Sequence, residues 1–72
     1  MPVTDAIHVD GVVIELLPNG LRRVELANGH RGLAQAAPRD REVLAPIGIG
    51  DRVTLEMSPF DMSQGRLLNR LK

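Results

Sequence analysis

The dipeptide Asn28–Gly29 stands between two stretches of period-two alternation, and nothing else in the chain constrains its fold as strongly. Before it, Leu21–Arg22–Arg23–Val24–Glu25–Leu26–Ala27 places Arg23 and Glu25 on one face and Val24 and Leu26 on the other. After it, His30 to Ala36 continues as a weaker strand, interrupted by Gly32. Asn-Gly supplies the positive φ that both central residues of a type I′ turn require, so the pattern predicts a hairpin. Upstream, His8 to Leu17 is rich in β-branched residues; Gly11 within it signals a bulge or sharp bend, and Pro18–Asn19–Gly20 a tight turn. Residues 1–36 therefore read as a three-stranded antiparallel meander.

The second half changes character. Pro38 suits the first turn of a helix, and Arg39–Asp40–Arg41–Glu42–Val43–Leu44–Ala45 continues with fair helix formers until Pro46 stops it, leaving room for two turns. Arg52–Val53–Thr54–Leu55–Glu56–Met57–Ser58 alternates again, with Val53, Leu55 and Met57 inward. Pro59 to Gly65 reads as a seven-residue connection, and Arg66 to Leu71 as a fifth strand. The expected fold is all-β: a five-stranded antiparallel OB-fold barrel with a short helix between strands 3 and 4. An SH3-like barrel competes, but gives no reason for a helical insert at this place. With 72 residues and no cysteine, the chain buries only about 60% of its unfolded surface and has no disulfide to help. Closing the sheet removes the edges that such a protein must otherwise protect. The expectation is one OB-fold domain over 1–72, residues 1–6 forming a flexible N-terminal tail.

Charge enters next. Nine basic and nine acidic side chains cancel, but Asp5, Asp10 and Glu15 precede the first arginine, while Arg66, Arg70 and Lys72 follow the last carboxylate, Asp61. The asymmetry suggests a polarised surface. Catalysis finds no support. His30 has no nucleophile elbow beside it, Gly48–Ile49–Gly50 lacks the lysine and third glycine of a phosphate loop, and no carboxylates have metal-ligand spacing. No cofactor is expected. No apolar run is long enough to span a membrane and no secretory leader opens the chain, so a cytoplasmic, monomeric binding module is expected.

Three segments narrow this further. They are Gly11–Val12–Val13–Ile14–Glu15–Leu16–Leu17–Pro18–Asn19, then Arg23–Val24–Glu25–Leu26–Ala27–Asn28–Gly29–His30, then the whole run from Gly50 to Arg66 containing Pro59–Phe60–Asp61–Met62–Ser63–Gln64–Gly65–Arg66. Together they resemble bacterial translation initiation factor one, whose patterns are Glu-Asn-Gly-His in the middle and Pro-Tyr-Asp-Leu-(Ser or Thr)-Lys-Gly-Arg near the end. The resemblance runs nearly end to end and implies an OB barrel that is not an enzyme. It implies binding to rRNA at the A site of the small ribosomal subunit, by the decoding end of a long rRNA helix. It also implies that the protein blocks premature tRNA entry and cooperates with the other initiation factors. Carried over residue by residue, the rRNA-binding set is His30, Arg39, Arg41, Phe60, Gln64, Arg66 and Arg70. Guanidinium groups suit such a site because they bind phosphate bidentately and stack on bases. Phe60 keeps the flat face of the family's Tyr without its hydroxyl, and either stacks on a base or caps the barrel.

The departures from the pattern concern charge. The family's link is densely cationic; here Arg39 and Arg41 alternate with Asp40 and Glu42, and Pro46 stands where the family has Arg. Gln35 replaces a second histidine, Gln64 the turn lysine, and Asn69 a last-strand aromatic residue. Each phosphate left unneutralised takes roughly 0.9 from the log–log salt slope of duplex binding, so weakened ribosome affinity is expected. Two alternatives stay open: a cold-shock-like RNA-chaperone module, or a divergent barrel that binds a protein partner. A single aromatic residue disfavours the first, because such modules stack several bases on an aromatic platform. Balanced charge favours the second over an ordinary family member.

Overall fold

A computed structural model describes residues 6–71, apart from the side chains of Asp61 and Met62. The expected N-terminal tail thus lies outside the described residues except for Ala6. Strand β1 (Ile7–Leu16) leads through a tight turn at Pro18–Gly20 into β2 (Arg22–Leu26), which folds back onto β3 (Arg31–Ala36). A 3-10 turn at Pro38–Asp40 and a single helical turn, α1 (Arg41–Leu44), then link β3 to β4 (Arg52–Ser58), and β5 (Asp61–Arg70) closes the chain. The strands form one closed barrel in the order β1-β2-β3-β5-β4. Five strands, closure and a short helix between β3 and β4 agree with the sequence pattern.

One pairing cannot follow the antiparallel expectation. Strand directions alternate round a closed ring only if the number of strands is even; with five, at least one neighbouring pair must run parallel. That pair is β3–β5, with Gln35 opposite Arg66 and Ala36 opposite Leu67; the other four pairings are antiparallel.

Three local expectations are revised. At Asn28–Gly29 only Gly29 takes positive φ (86°). The Gly29 N–H donates to the Leu26 carbonyl at 2.9 Å, and the Leu26 N–H to the His30 carbonyl at 2.8 Å. The loop therefore has three residues and ends in a left-handed glycine, not two in a type I′ turn. Asn28 Oδ1 accepts from the His30 N–H at 2.9 Å, so its side chain shapes the turn while its backbone stays out of the left-handed region. In β1 the register slips between Val13 and Glu15, so the extra residue is Ile14. Gly11 instead marks a close approach: a Cβ there would lie 2.5 Å from Val24 Cγ1 and 2.8 Å from the Glu25 carbonyl oxygen. Lastly, Ser58 pairs with Asp61, which reduces the β4–β5 connection to Pro59–Phe60; β5 then slips in register and Gln64 pairs with Leu33 of β3. The Ser, Gln and Gly between Asp61 and Arg66 read as loop residues because strand pairing with β3 leaves no local signature.

The barrel is filled from every strand by Val13, Val24, Leu26, Ala34, Val53, Leu55, Met57 and Leu67, all at most 5% exposed. Leu44 and Ile47 join this core from the link. The alternation that predicts the inward faces of β2 and β4 is the alternation observed.

Candidate nucleic-acid interface

Because β3 and β5 are parallel, the turns that lead into them share one end of the barrel and their C-terminal ends share the other. The seam between them holds two of the residues singled out from the sequence, Gln64 and Arg66, and the others stand before, after or at the ends of its strands. His30 precedes β3 and Phe60 precedes β5, so both stand at the entrance. Gln64 and Arg66 lie along the seam, opposite Leu33 and Gln35. Arg39 and Arg41 follow β3 in the link, and Arg70 ends β5, so all three stand at the exit.

Two of these share a cavity. Arg41 and Arg66 line an open groove of about 470 Å³ together with Gln35, Ala36, Ala37, Pro38 and Gly65, and none of these lining residues is acidic. A second depression, lined by Leu21, Leu33, Gln35, Gln64 and Gly65, continues it along the seam. The groove thus offers two guanidinium groups and side-chain amides on a small-residue floor, which suits a phosphodiester backbone.

The cations differ in availability. Arg66 Nη2 donates to Glu56 Oε1 across the β4–β5 pair, where the side chains are 47% and 30% exposed. Glu56 also faces His8 Nε2 at 3.6 Å, so register neighbours Gln35, Arg66, Glu56 and His8 form one row across four strands. Arg70 Nη1 lies 3.9 Å from Asp51 Oδ2, and Arg39 Nε lies 3.9 Å from Asp40 Oδ2. Arg41 has no ion-pair partner among the described residues. The exposed pairs are individually weak, worth about 0–1 kcal/mol, and exchange a carboxylate for a phosphate at modest cost. Phe60 is 86% exposed, so it does not cap the barrel. Its N–H donates to Ser58 Oγ at 3.2 Å, which fixes the hairpin tip that carries the ring.

The sequence reading missed Arg22. Its side chain is buried on the inner face of β2, only 7% exposed. Nε donates to the Ile47 carbonyl at 3.1 Å, Nη1 to the Gly20 carbonyl at 3.0 Å, and Nη2 to the Leu44 and Ala45 carbonyls at 3.1 and 3.3 Å. The signal was present: extending the alternation back from Val24 and Leu26 puts Arg22 on their face. Arg52 was also passed over; it lies opposite Val12 at the start of β4, away from the seam, with no ion-pair partner among the described residues.

A closed five-stranded barrel with a helix between its third and fourth strands defines the OB-fold, a class of binding barrels. The family model of translation initiation factor 1A / IF-1 matches residues 1–72, and the chain belongs to that family. It is similar to translation initiation factor one from the Wolbachia endosymbiont strain TRS of Brugia malayi, at 38% identity and a TM-score of 0.75, over 96% of this chain and 82% of that one. It is also similar to part of YjeQ from Thermotoga maritima, at 27% identity and a TM-score of 0.70, over 92% of this chain but 23% of that one. The chain is therefore a translation initiation factor, and the family resemblance and the OB-fold expected from the sequence are both correct.

Proposed function

We propose that the protein binds rRNA at the A site of the small ribosomal subunit during initiation, where it blocks premature tRNA entry and assists the other initiation factors. The role is binding, not catalysis, and its setting is the cytoplasm. The observation that carries this reading is the groove shared by Arg41 and Arg66, where the described lining residues include two cations and no carboxylate. Phosphate bridges the two guanidinium groups, while Phe60 and His30 at the other end of the seam meet unpaired bases.

The test is titration of small ribosomal subunits at several salt concentrations, with chemical footprinting at saturation. Decoding-site bases are expected to be protected. Replacing both Arg41 and Arg66 with Ala should flatten the salt slope by about 1.4–1.8, from roughly 0.7–0.9 for each phosphate no longer neutralised. Unprotected bases at saturating protein, or an unchanged slope in the double variant, would refute the assignment. A protein partner is the second reading, favoured by the ion pairs that engage Arg39, Arg66 and Arg70.

A further inference from the structure

Arg22 is a buried cation with no carboxylate on its guanidinium among the described residues, where backbone carbonyls hold it. Three of the four belong to Leu44, Ala45 and Ile47, at the end of α1 and just beyond it. The last carbonyls of a helix have no partner within it, and a helix of four residues has little else to hold it. Leu44 and Ile47 anchor the link in the core, but apolar burial has no direction and leaves the turn free to rotate about its anchors. A planar guanidinium that donates to three carbonyls at the end of the turn and to the Gly20 carbonyl of the β1–β2 turn removes that freedom.

The consequence reaches the groove. Arg41 lies one turn before Leu44 on α1, so the orientation of that turn sets where Arg41 points. Arg41 also borders both cavities of this region: with Asn19, Gly20, Arg22 and Ala45 it lines the pocket over the latch, and with Arg66 it lines the outer groove. We propose that Arg22 is a positioning residue, a latch that ties the link to the barrel and so aims Arg41 into the groove it shares with Arg66. The latch itself is a property of the free protein; its effect on RNA binding rests on the function proposed above.

Two measurements separate these levels. The first is amide hydrogen exchange in the free protein for Arg22→Met, which keeps a long unbranched side chain and removes the donors, and for Arg22→Lys, which keeps the charge and loses the fork. In Arg22→Met the Ile47 N–H, bonded to the Leu44 carbonyl, should lose at least about tenfold protection relative to the Leu55 and Leu67 amides. Arg22→Lys should recover part of that loss. Equal loss at link and barrel amides, or no selective loss in either variant, overturns the latch. The second is a double-mutant cycle with small ribosomal subunits. Arg41→Ala should weaken binding at least about fivefold in the wild-type background and less than about twofold with Met at position 22. The same factor in both backgrounds overturns the aiming of Arg41 by Arg22. No effect of Arg41→Ala in the wild-type background refutes the RNA role of Arg41, and hydrogen exchange then still decides the latch.

Discussion

On the function proposed above, Glu56 sets how much of the seam is available to RNA. Its carboxylate accepts from Arg66 on one side and faces His8 on the other, and it is 30% exposed. A phosphate that reaches Arg66 either displaces Glu56 or shares the guanidinium with it, and the shared arrangement carries the larger repulsion. Two anions on opposite edges of one guanidinium stand roughly 6–7 Å apart; at an effective dielectric constant of about 40–80, their repulsion is roughly 0.6–1.4 kcal/mol. Glu56→Gln keeps the size and an acceptor oxygen and removes the charge. Affinity for small subunits should therefore rise by about two- to tenfold in low salt, at 1.4 kcal/mol per factor of ten. The gain should shrink as salt rises, because the Debye length falls to about 8 Å at 0.15 M, comparable with the separation itself. The variant should lose at most about 1 kcal/mol of stability, the worth of an exposed pair. The assay is subunit binding by fluorescence anisotropy across a salt series, beside thermal denaturation. Glu15→Gln, which frees Arg23 on the β1–β2 side, serves as the control and should change affinity much less. Weaker or unchanged binding of a folded Glu56→Gln variant would show that Arg66 does not meet phosphate, and the groove would lose half of its case.

Two other substitutions separate surface from core. Phe60→Ala should leave the thermal midpoint unchanged, because the ring is 86% exposed, while costing roughly 1–3 kcal/mol of subunit binding if the ring stacks on a base; binding equal to wild type refutes the stacking. Leu67→Ala removes a side chain that is 0% exposed at the centre of the barrel and should cost about 2–5 kcal/mol by urea denaturation. A domain of this length has only about 4–11 kcal/mol in total, so a cost below about 1 kcal/mol would mean that Leu67 is not in the core described.

The barrel was legible wherever local rules govern. The alternation in β2 and β4, the helix start at Pro38 and its stop before Pro46 are all decided within a few residues, and all are observed. What was hidden is decided between strands. The first residues of β5 carry no strand pattern because they leave β4 for β3, and only the partner strand shows it. Gly11 reads as a bend from sequence, yet the demand on it is the approach of Val24 and Glu25 on the neighbouring strand. The type I′ expectation failed because Asn28 satisfies the turn through its side chain, a choice that leaves the dipeptide signature unchanged.

The site shows the same division. The family pattern proposes seven residues; the parallel pair that a ring of five strands must contain carries Gln64 and Arg66, Arg41 lines the groove beside it, and His30, Arg39, Phe60 and Arg70 lie before, after or at the ends of its strands. What the pattern could not supply was the state of each cation. Arg66 and Glu56 are ten residues apart, and Arg70 and Asp51 nineteen; only register makes them neighbours. Counting charges along the chain therefore overstates the free cations at the exit of the seam, where Arg70 and Arg39 each face a carboxylate and Arg41 faces none among the described residues. The other cation lining the groove, Arg41, stands on the link. Its direction is set by Arg22, a charge that the same alternation places inside the barrel and that backbone carbonyls, not carboxylates, make tolerable there.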